Sequence, residues 1–242
     1  MLRRIFIGFL AICILTMMSS TKATYDTNDL KNPHSQIFYL HSKTVNLNIE
    51  EQINRARDLI IQGQDYPMAI AVLNQIISLY QDDSEAYLLR GIAYTGMGEF
   101  WKAENDYKLA LKLEPENPTF YYFRGMNFLH IKDRPSDGSY NRVTQNIHLG
   151  MSYAQVPRYT LDAQNMFEKA LKIEPYYIDA IVGLGDSYID MADYQKPYGN
   201  KELYQKAIDE YNKVLVLFPN HDIVNFKKKE AQQALNESES KK

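Results

Sequence analysis

Residues Ser84–Asn117 have the sequence SEAYLLRGIAYTGMGEFWKAENDYKLALKLEPEN, in which apolar and small side chains recur at helical spacing. One face of the first predicted helix carries Tyr87, Gly91 and Tyr94. The inner face of the second carries Ala103, Tyr107, Ala110 and Leu111. Gly98 marks the turn between them, and Pro115 ends the second helix because it lacks an N–H and restricts Glu114. The stretch therefore predicts two helices in close contact at Gly91 and Ala103.

This order of residues resembles the tetratricopeptide repeat (TPR) pattern W-x2-L-G-x2-Y…A-x3-F…P. Tyr87 stands in the Trp place, and Arg90 replaces the Leu before Gly91. The resemblance implies an all-α fold, a right-handed α-solenoid of about four helix-turn-helix repeats with a C-terminal capping helix. It also implies a scaffold that binds other proteins.

Steps of 34 residues from this stretch divide residues 50–221 into four repeats. The predicted repeats are 50–83, 84–117, 118–177 and 178–221, of which the first is degenerate. The third spans 60 residues and the fourth 44, so they contain insertions of 26 and 10 residues between their two helices. Thr160 is predicted to cap the second helix of the third repeat.

A capping helix is predicted over 222–235, followed by a disordered tail over 236–242. The residues expected to face inward on this helix are Ile223, Phe226, Ala231 and Leu235. Lys227, Lys228 and Lys229 are expected to face outward.

The beginning of the sequence predicts export. Arg3 and Arg4 precede an apolar run over residues 5–18, and small residues follow it up to Ala23. This pattern indicates a signal peptide over 1–23 cleaved after Ala23, and hence a periplasmic or secreted protein. Two alternatives stay open, an uncleaved membrane anchor and a lipid on Cys13. Residues 24–49 are predicted to form a linker or N-terminal arm.

Composition after this cleavage excludes several classes of function. The remaining chain has no cysteine, and its 24 basic residues against 30 acidic ones give a net charge of −6. That balance argues against nucleic-acid binding. We find no motif for a metal, a cofactor or catalysis, so we expect neither a cofactor nor an enzyme. An enzyme that uses the insertion would need His130 or Asp137 for its chemistry.

The resemblance also implies which residues line a groove, because TPR proteins bind with fixed places of each first helix. The candidate partner-binding residues are Asp58, Glu85, Leu88, Ile92, Tyr122, Met126, Asp179, Val182, Asp186, Ile189 and Asp190. They combine acids with apolar residues and contain no Lys or Arg, so we expect a protein or peptide partner with a basic and hydrophobic segment. Asp179, Asp186 and Asp190 are expected to await that segment. The alternatives are a solvated acidic face and an internal salt bridge.

The insertions supply a second candidate surface that is rich in tyrosine. Tyr140, Tyr153 and Tyr198 lie there, and tyrosine is enriched at interfaces. The alternative is that the insertions pack on each other and on the repeats. These observations predict an exported, non-catalytic adaptor. The alternative function is a structural subunit of a cell-envelope assembly or secretion complex, and contact with a membrane is expected only if the N-terminal segment is retained.

Overall fold

A computed structural model describes residues 49–132, 156–194 and 200–240. The predicted signal peptide, most of the N-terminal arm, and Tyr140, Tyr153 and Tyr198 lie outside the described residues. The described residues form nine helices and no strand, which confirms the predicted all-α fold. The helices are α1 (49–61), α2 (Tyr66–Leu79), α3 (Ser84–Gly96), α4 (Phe100–Leu113), α5 (Pro118–Lys132), α6 (Val156–Ile173), α7 (Ile178–Tyr194), α8 (Lys201–Leu217) and α9 (Asp222–Ser240).

The chain divides into two compact units at Leu89/Arg90, within α3. The described part of the first unit contains α1, α2 and the first residues of α3. Its buried apolar residues include Ile53, Ala56, Ile60, Leu73 and Ile76. Asp65 caps α2 by accepting a hydrogen bond from the Met68 N–H at 3.1 Å, and Pro67 lies in the first turn. Local sequence signals therefore account for the start of this helix.

The turn between α1 and α2 contains a strained residue. Gln64 has φ 47°, a left-handed conformation that side chains other than Gly rarely adopt. The residue 34 positions later is Gly98, which has φ 72°. Both turns therefore require the same backbone conformation, although only the second has the glycine that favours it.

In the second unit consecutive helices pack against each other from α4 to α9, as expected for an α-solenoid. A recurring glycine–aromatic contact sets the distance between paired helices. A Cβ atom on Gly91 would lie 2.7 Å from Tyr107, one on Gly125 2.7 Å from Phe167, and one on Gly185 2.6 Å from Tyr211. Only glycine permits these approaches. The Gly125–Phe167 contact pairs α5 with α6, on either side of residues 133–155.

Two predictions about helix ends are wrong. Helix α6 begins at Val156, so Thr160 lies inside the helix, where it is 1% exposed, and it is not the N-cap. Helix α9 continues to Ser240, which contradicts the predicted disorder over 236–240. Intrahelical side-chain hydrogen bonds support this last part of α9, from Gln232 to Asn236 and from Gln233 to Glu237.

The inward face of α9 also differs from the prediction. Val224 and Ala231 are buried, and Leu235 packs against the same cluster. Ile223 and Phe226 are instead 62% and 61% exposed. Residues 224, 227, 231 and 235 follow one helical stripe. Lys227 therefore lies on the side of α9 that faces the core, where we had expected it to face outward.

Candidate partner-binding surface

Two ion pairs, each with a buried acid, fix the helices that carry the candidate surface. Arg90 donates to Asp106 through Nε at 2.8 Å and Nη2 at 2.7 Å, which joins α3 to α4. Arg124 donates to both oxygens of Glu104, with its shortest bond at 2.7 Å, which joins α5 to α4. Arg90, which replaces the Leu of the TPR pattern, thus forms an ion pair with an acid on the next helix. Such forked pairs fix direction as well as distance, so α5 has a defined orientation.

A chain of hydrogen bonds adds to this connection. The Thr95 hydroxyl lies 3.0 Å from the Tyr107 hydroxyl and donates to Asn127 Oδ1 at 3.1 Å. The side-chain amide of Asn127 donates to the Phe100 carbonyl at 3.2 Å. Burial raises the pKa of Tyr107 far above its usual value, so its hydroxyl stays protonated. The sequence does not indicate this network, because Asn127 has no place in the repeat pattern.

Tyr122 of α5 lies at the centre of the candidate surface. Its ring centroid is 5.6 Å from that of Tyr177 in an edge-to-face arrangement, and 6.1 Å from that of Phe167. Burial raises the pKa of Tyr122 to about 12, and the charge of Asp179 contributes to the shift. Tyr122 therefore contacts Tyr177, which was not a predicted site residue, and the charge of the predicted site residue Asp179 acts on its phenol.

Asp186 of α7 is held by two other helices. Lys227 Nζ donates to its carboxylate oxygens at 2.8 and 2.9 Å, and the Tyr211 hydroxyl donates to Oδ1 at 2.7 Å. The prediction that Asp186 carries an uncompensated charge is therefore wrong, because Lys227 reaches it from the inner side of α9. Asp190 lies close enough to raise the pKa of Tyr211 and has interactions of its own. The internal salt bridge considered as an alternative is the arrangement found at Asp186.

Asp179, at the beginning of α7, has a different environment from Asp186. Asp179 is exposed in the first turn of α7, and none of the described residues pairs with it. The three predicted acids of α7 are therefore not equivalent.

The apolar candidates of the second unit are half-buried. Met126 packs beside the cluster around Phe167, and Val182 and Ile189 pack beside the cluster around Tyr211. Ile92 of α3 is also half-buried. Each of these side chains therefore supports the core and still presents part of its surface to solvent.

The candidates in the first unit are less suited to binding. Leu88 is only 7% exposed and belongs to the core. Glu85 forms an ion pair with Arg57, and Asp58 accepts a hydrogen bond from Gln62 at 3.2 Å. Only Asp58 of these three is fully exposed.

Within 49–132, 156–194 and 200–240, no group of three or more His, Cys, Asp or Glu residues could hold a metal ion. Among the described helices, none combines the length and the apolar character needed to cross a membrane.

Comparison with known proteins agrees with this architecture. Residues 84–117 match the family model for the tetratricopeptide repeat. Tetratricopeptide repeat protein 6 of Homo sapiens is 26% identical over 171 residues, which cover 64% of this chain and 30% of that protein. The chain thus spans less than a third of the length of this relative.

Two solved structures resemble the fold. "MamA MSR-1 C2" has a TM-score of 0.51 at 17% identity and covers 79% of this chain and 86% of its own. "Crystal structure of MamA protein" has a TM-score of 0.50 at 17% identity and covers 78% of this chain and 88% of its own. At these identities the likeness concerns the fold. The match over 84–117 identifies one tetratricopeptide repeat within this fold.

Proposed function

We propose that this chain is an exported, non-catalytic adaptor that binds a segment of a partner protein on one surface of its second unit. We name this surface the α5/α7 face. It consists of Tyr122, Met126, Asp179, Val182 and Ile189. The observation that carries the proposal is the position of Tyr122 on α5 beside half-buried apolar side chains, with the exposed Asp179 in the first turn of α7. Proteins with TPR repeats are in general protein-interaction scaffolds, which supports the same class of function.

The chemistry of the α5/α7 face indicates the character of the partner segment. Met126, Val182 and Ile189 offer apolar area, and methionine adapts its shape to different ligands. Asp179 adds a negative charge that stays at the surface. A segment that alternates apolar residues with Lys or Arg would bury the first against the apolar side chains and place the second near the acid.

Photo-crosslinking tests this proposal. A benzophenone amino acid replaces Met126 in one variant and Leu161 in a control, because Leu161 is exposed on α6 and is not part of the α5/α7 face. We expect the variant at 126 to crosslink a discrete partner segment, mapped by mass spectrometry, that contains apolar and basic residues. Excess wild-type protein should compete with this reaction. Equal yields at 126 and 161, or a captured segment without apolar residues, would contradict the proposal.

Export forms a separate part of the proposal and has its own test. Support comes from the basic residues, apolar run and small residues within 1–23. The full chain is expressed in a bacterial host, and the N-terminus of the mature product is determined by mass spectrometry. We expect the product to begin at Thr24 and to lie outside the cytoplasm. An intact N-terminus in the membrane fraction would indicate the anchor instead.

One observation favours the second candidate function, a structural subunit of an envelope assembly or secretion complex. Apolar side chains around the α8–α9 turn are exposed, and the most exposed is Val216 at 80%. The others are Leu217, Phe218, Ile223 and Phe226. Light scattering of the purified mature protein separates the candidates. A monodisperse monomer supports the adaptor, whereas association that Phe226→Glu abolishes supports the subunit.

A further inference from the structure

We infer that Tyr122, Tyr177 and Asp179 form a receptor for one cationic side chain, Lys or Arg, of the partner segment. The inference rests on the proposed function and goes further by naming where the positive charge of the partner is received. It also separates Asp179 from Asp186, although the two occupy the same helix face in the sequence pattern.

The two tyrosines are fixed by their neighbours. The Tyr122 ring contacts the rings of Phe123, at a centroid distance of 5.1 Å, and Tyr177, at 5.6 Å. Burial raises the pKa of Tyr177, and the neighbouring side chain of Thr119 acts in the opposite direction. Both tyrosines are only half-buried, so part of each side chain stays accessible. A receptor that is already ordered loses little entropy when a ligand binds.

The electrostatics of this site favour a cation. Asp179 is two residues after Tyr177 in the first turn of α7 and is exposed. Its charge acts on both phenol groups, since it helps to raise the pKa of Tyr122 and that of Tyr177. The faces of aromatic rings carry negative charge density, so rings and carboxylate attract the same positive group.

The same chemistry is already realised elsewhere in the chain. Asp186 accepts from the Tyr211 hydroxyl and from the ammonium group of Lys227. A carboxylate beside a phenol therefore binds a lysine in this fold. At Asp186 the lysine belongs to the chain itself, so this carboxylate is occupied. At Asp179 no described residue supplies the cation, and we assign that role to the partner.

A purely structural role for the three residues is the competing explanation. An acid in the first turn stabilises a helix because the N-terminus carries partial positive charge. The tyrosines could serve only to pack α5 against α7. This explanation predicts that Asp179→Asn lowers the melting temperature and leaves ligand selectivity unchanged.

Two synthetic peptides separate the explanations. One is acetyl-Leu-Arg-Leu-amide, and its control replaces arginine with citrulline, which has nearly the same shape and no charge. Binding is followed by NMR of protein with ring-labelled tyrosine, with signals assigned through Tyr122→Phe and Tyr177→Phe. We expect the arginine peptide to bind about two- to tenfold more tightly than the citrulline peptide and to shift both signals.

Variants locate the charge that produces this preference. Asp179→Asn should abolish the preference for arginine while helicity is retained, and Asp186→Asn should preserve it. Four results would overturn the inference: no binding of the arginine peptide, equal affinity for both peptides, shifts that avoid Tyr122 and Tyr177, or a preference that survives Asp179→Asn. The benzophenone experiment at 126 distinguishes this failure from that of the proposed function. If the variant at 126 crosslinks a partner but the protein does not prefer the arginine peptide, the proposed adaptor function stands and only the receptor is refuted.

Discussion

Lys227 on α9 donates to both carboxylate oxygens of Asp186 on α7, at 2.8 and 2.9 Å. Tyr211 on α8 donates to the same carboxylate at 2.7 Å. One acid thus joins the last three helices, and the ion pair is about two-thirds buried, with 31% and 32% of the two side chains exposed. Asp186 is therefore a structural residue, although its place in the repeat suggests a binding residue.

The first prediction concerns the stability of this link. Asp186→Asn removes the charge but keeps an oxygen that can accept a hydrogen bond. Because the pair is partly screened by water, we expect the free energy of unfolding to fall by about 1 kcal/mol. Urea unfolding at low and high salt measures this effect, which should be smaller at high salt.

Two further variants complete this experiment. Lys227→Met should lower the free energy of unfolding by a similar amount. The double variant should lower it by less than the sum of the two single variants. Lys229→Met is the matched control, because Lys229 is exposed on the same helix. Unchanged or increased stability in Asp186→Asn would restore the original hypothesis of an acid that awaits a partner.

The error at Asp186 shows what a repeat pattern can and cannot predict. The spacing correctly places Asp186 on the first helix of its repeat. It gives no information on how the capping helix is rotated, since both Val224 and Ile223 are apolar candidates for the inner face. Burial of Val224 rather than Ile223 turns Lys227 toward α7. Which of the two is buried depends on packing between distant parts of the chain.

The second prediction concerns the contact between α5 and α6. Gly125→Ala places a Cβ atom 2.7 Å from the Phe167 ring. Gly183 lies close to the same ring, since a Cβ atom added there would be 2.8 Å from it. The ring therefore has little room to move. Overpacking costs about 1–3 kcal/mol, which exceeds the gain of about 0.5–1 kcal/mol from replacing a helical glycine. We expect a lower melting temperature.

Gly63→Ala is the control for this substitution. Its Cβ atom would meet only ordinary contacts, the nearest at 3.4 Å from the Leu59 carbonyl oxygen. We expect its melting temperature to stay close to that of the parent. A Gly125→Ala variant as stable as Gly63→Ala would argue that α5 and α6 are not the two helices of one repeat.

The close approach of paired helices is the part of the structure that the sequence predicts best. The repeat pattern predicts close contact at Gly91 and Ala103 and places Tyr107 on the inner face of the second helix. In the structure Gly91 lies against the Tyr107 ring, and Gly125 and Gly185 lie in the same way against Phe167 and Tyr211. These close approaches are predictable because a close helix crossing leaves only one solution, a residue without a side chain opposite a large ring.

The third prediction concerns a buried amide. Gln164 of α6 is buried, and its Nε2 has no hydrogen-bond partner among the described residues. Gln164 follows Ala163 as Glu104 follows Ala103, and Glu104 pairs with the Arg124 that precedes Gly125. The residue before Gly185 is Leu184, which cannot pair with an amide. The third repeat thus has a polar residue at this place, and the position equivalent to its partner is apolar.

Gln164→Met should therefore stabilise the protein. It removes the cost of an unsatisfied donor and keeps an unbranched side chain of similar length, so we expect a gain of about 1 kcal/mol. Thermal unfolding followed by circular dichroism measures it. Gln75→Met, at an exposed position of α2, is the control and should change stability by less than about 0.5 kcal/mol. A loss of stability in Gln164→Met would mean that the amide makes a bond to water or to residues outside the described part.

The last prediction concerns the titration of Tyr122. Its pKa is raised to about 12 from 10.0 by burial and by the charges of Asp179, Tyr177 and Asp186. A phenol whose pKa is higher in the folded state contributes stability below pH 10, and this contribution is lost as the pH rises from 10 to 12. The contribution should be missing in Tyr122→Phe, whose unfolding free energy should fall less steeply over this range.

Asp179→Asn should lower the pKa of Tyr122 without returning it to 10, because the burial of the ring is unchanged. NMR titration of ring-labelled tyrosine measures the shift. Asp162→Asn is the matched control, because Asp162 helps to raise the pKa of Tyr159 and is not among the charges that act on Tyr122. If Asp179→Asn left the Tyr122 titration unchanged, the carboxylate would lie too far from the phenol to share a cation with it. Asp179 would then not be part of the receptor, even if the α5/α7 face still bound a partner through its apolar side chains.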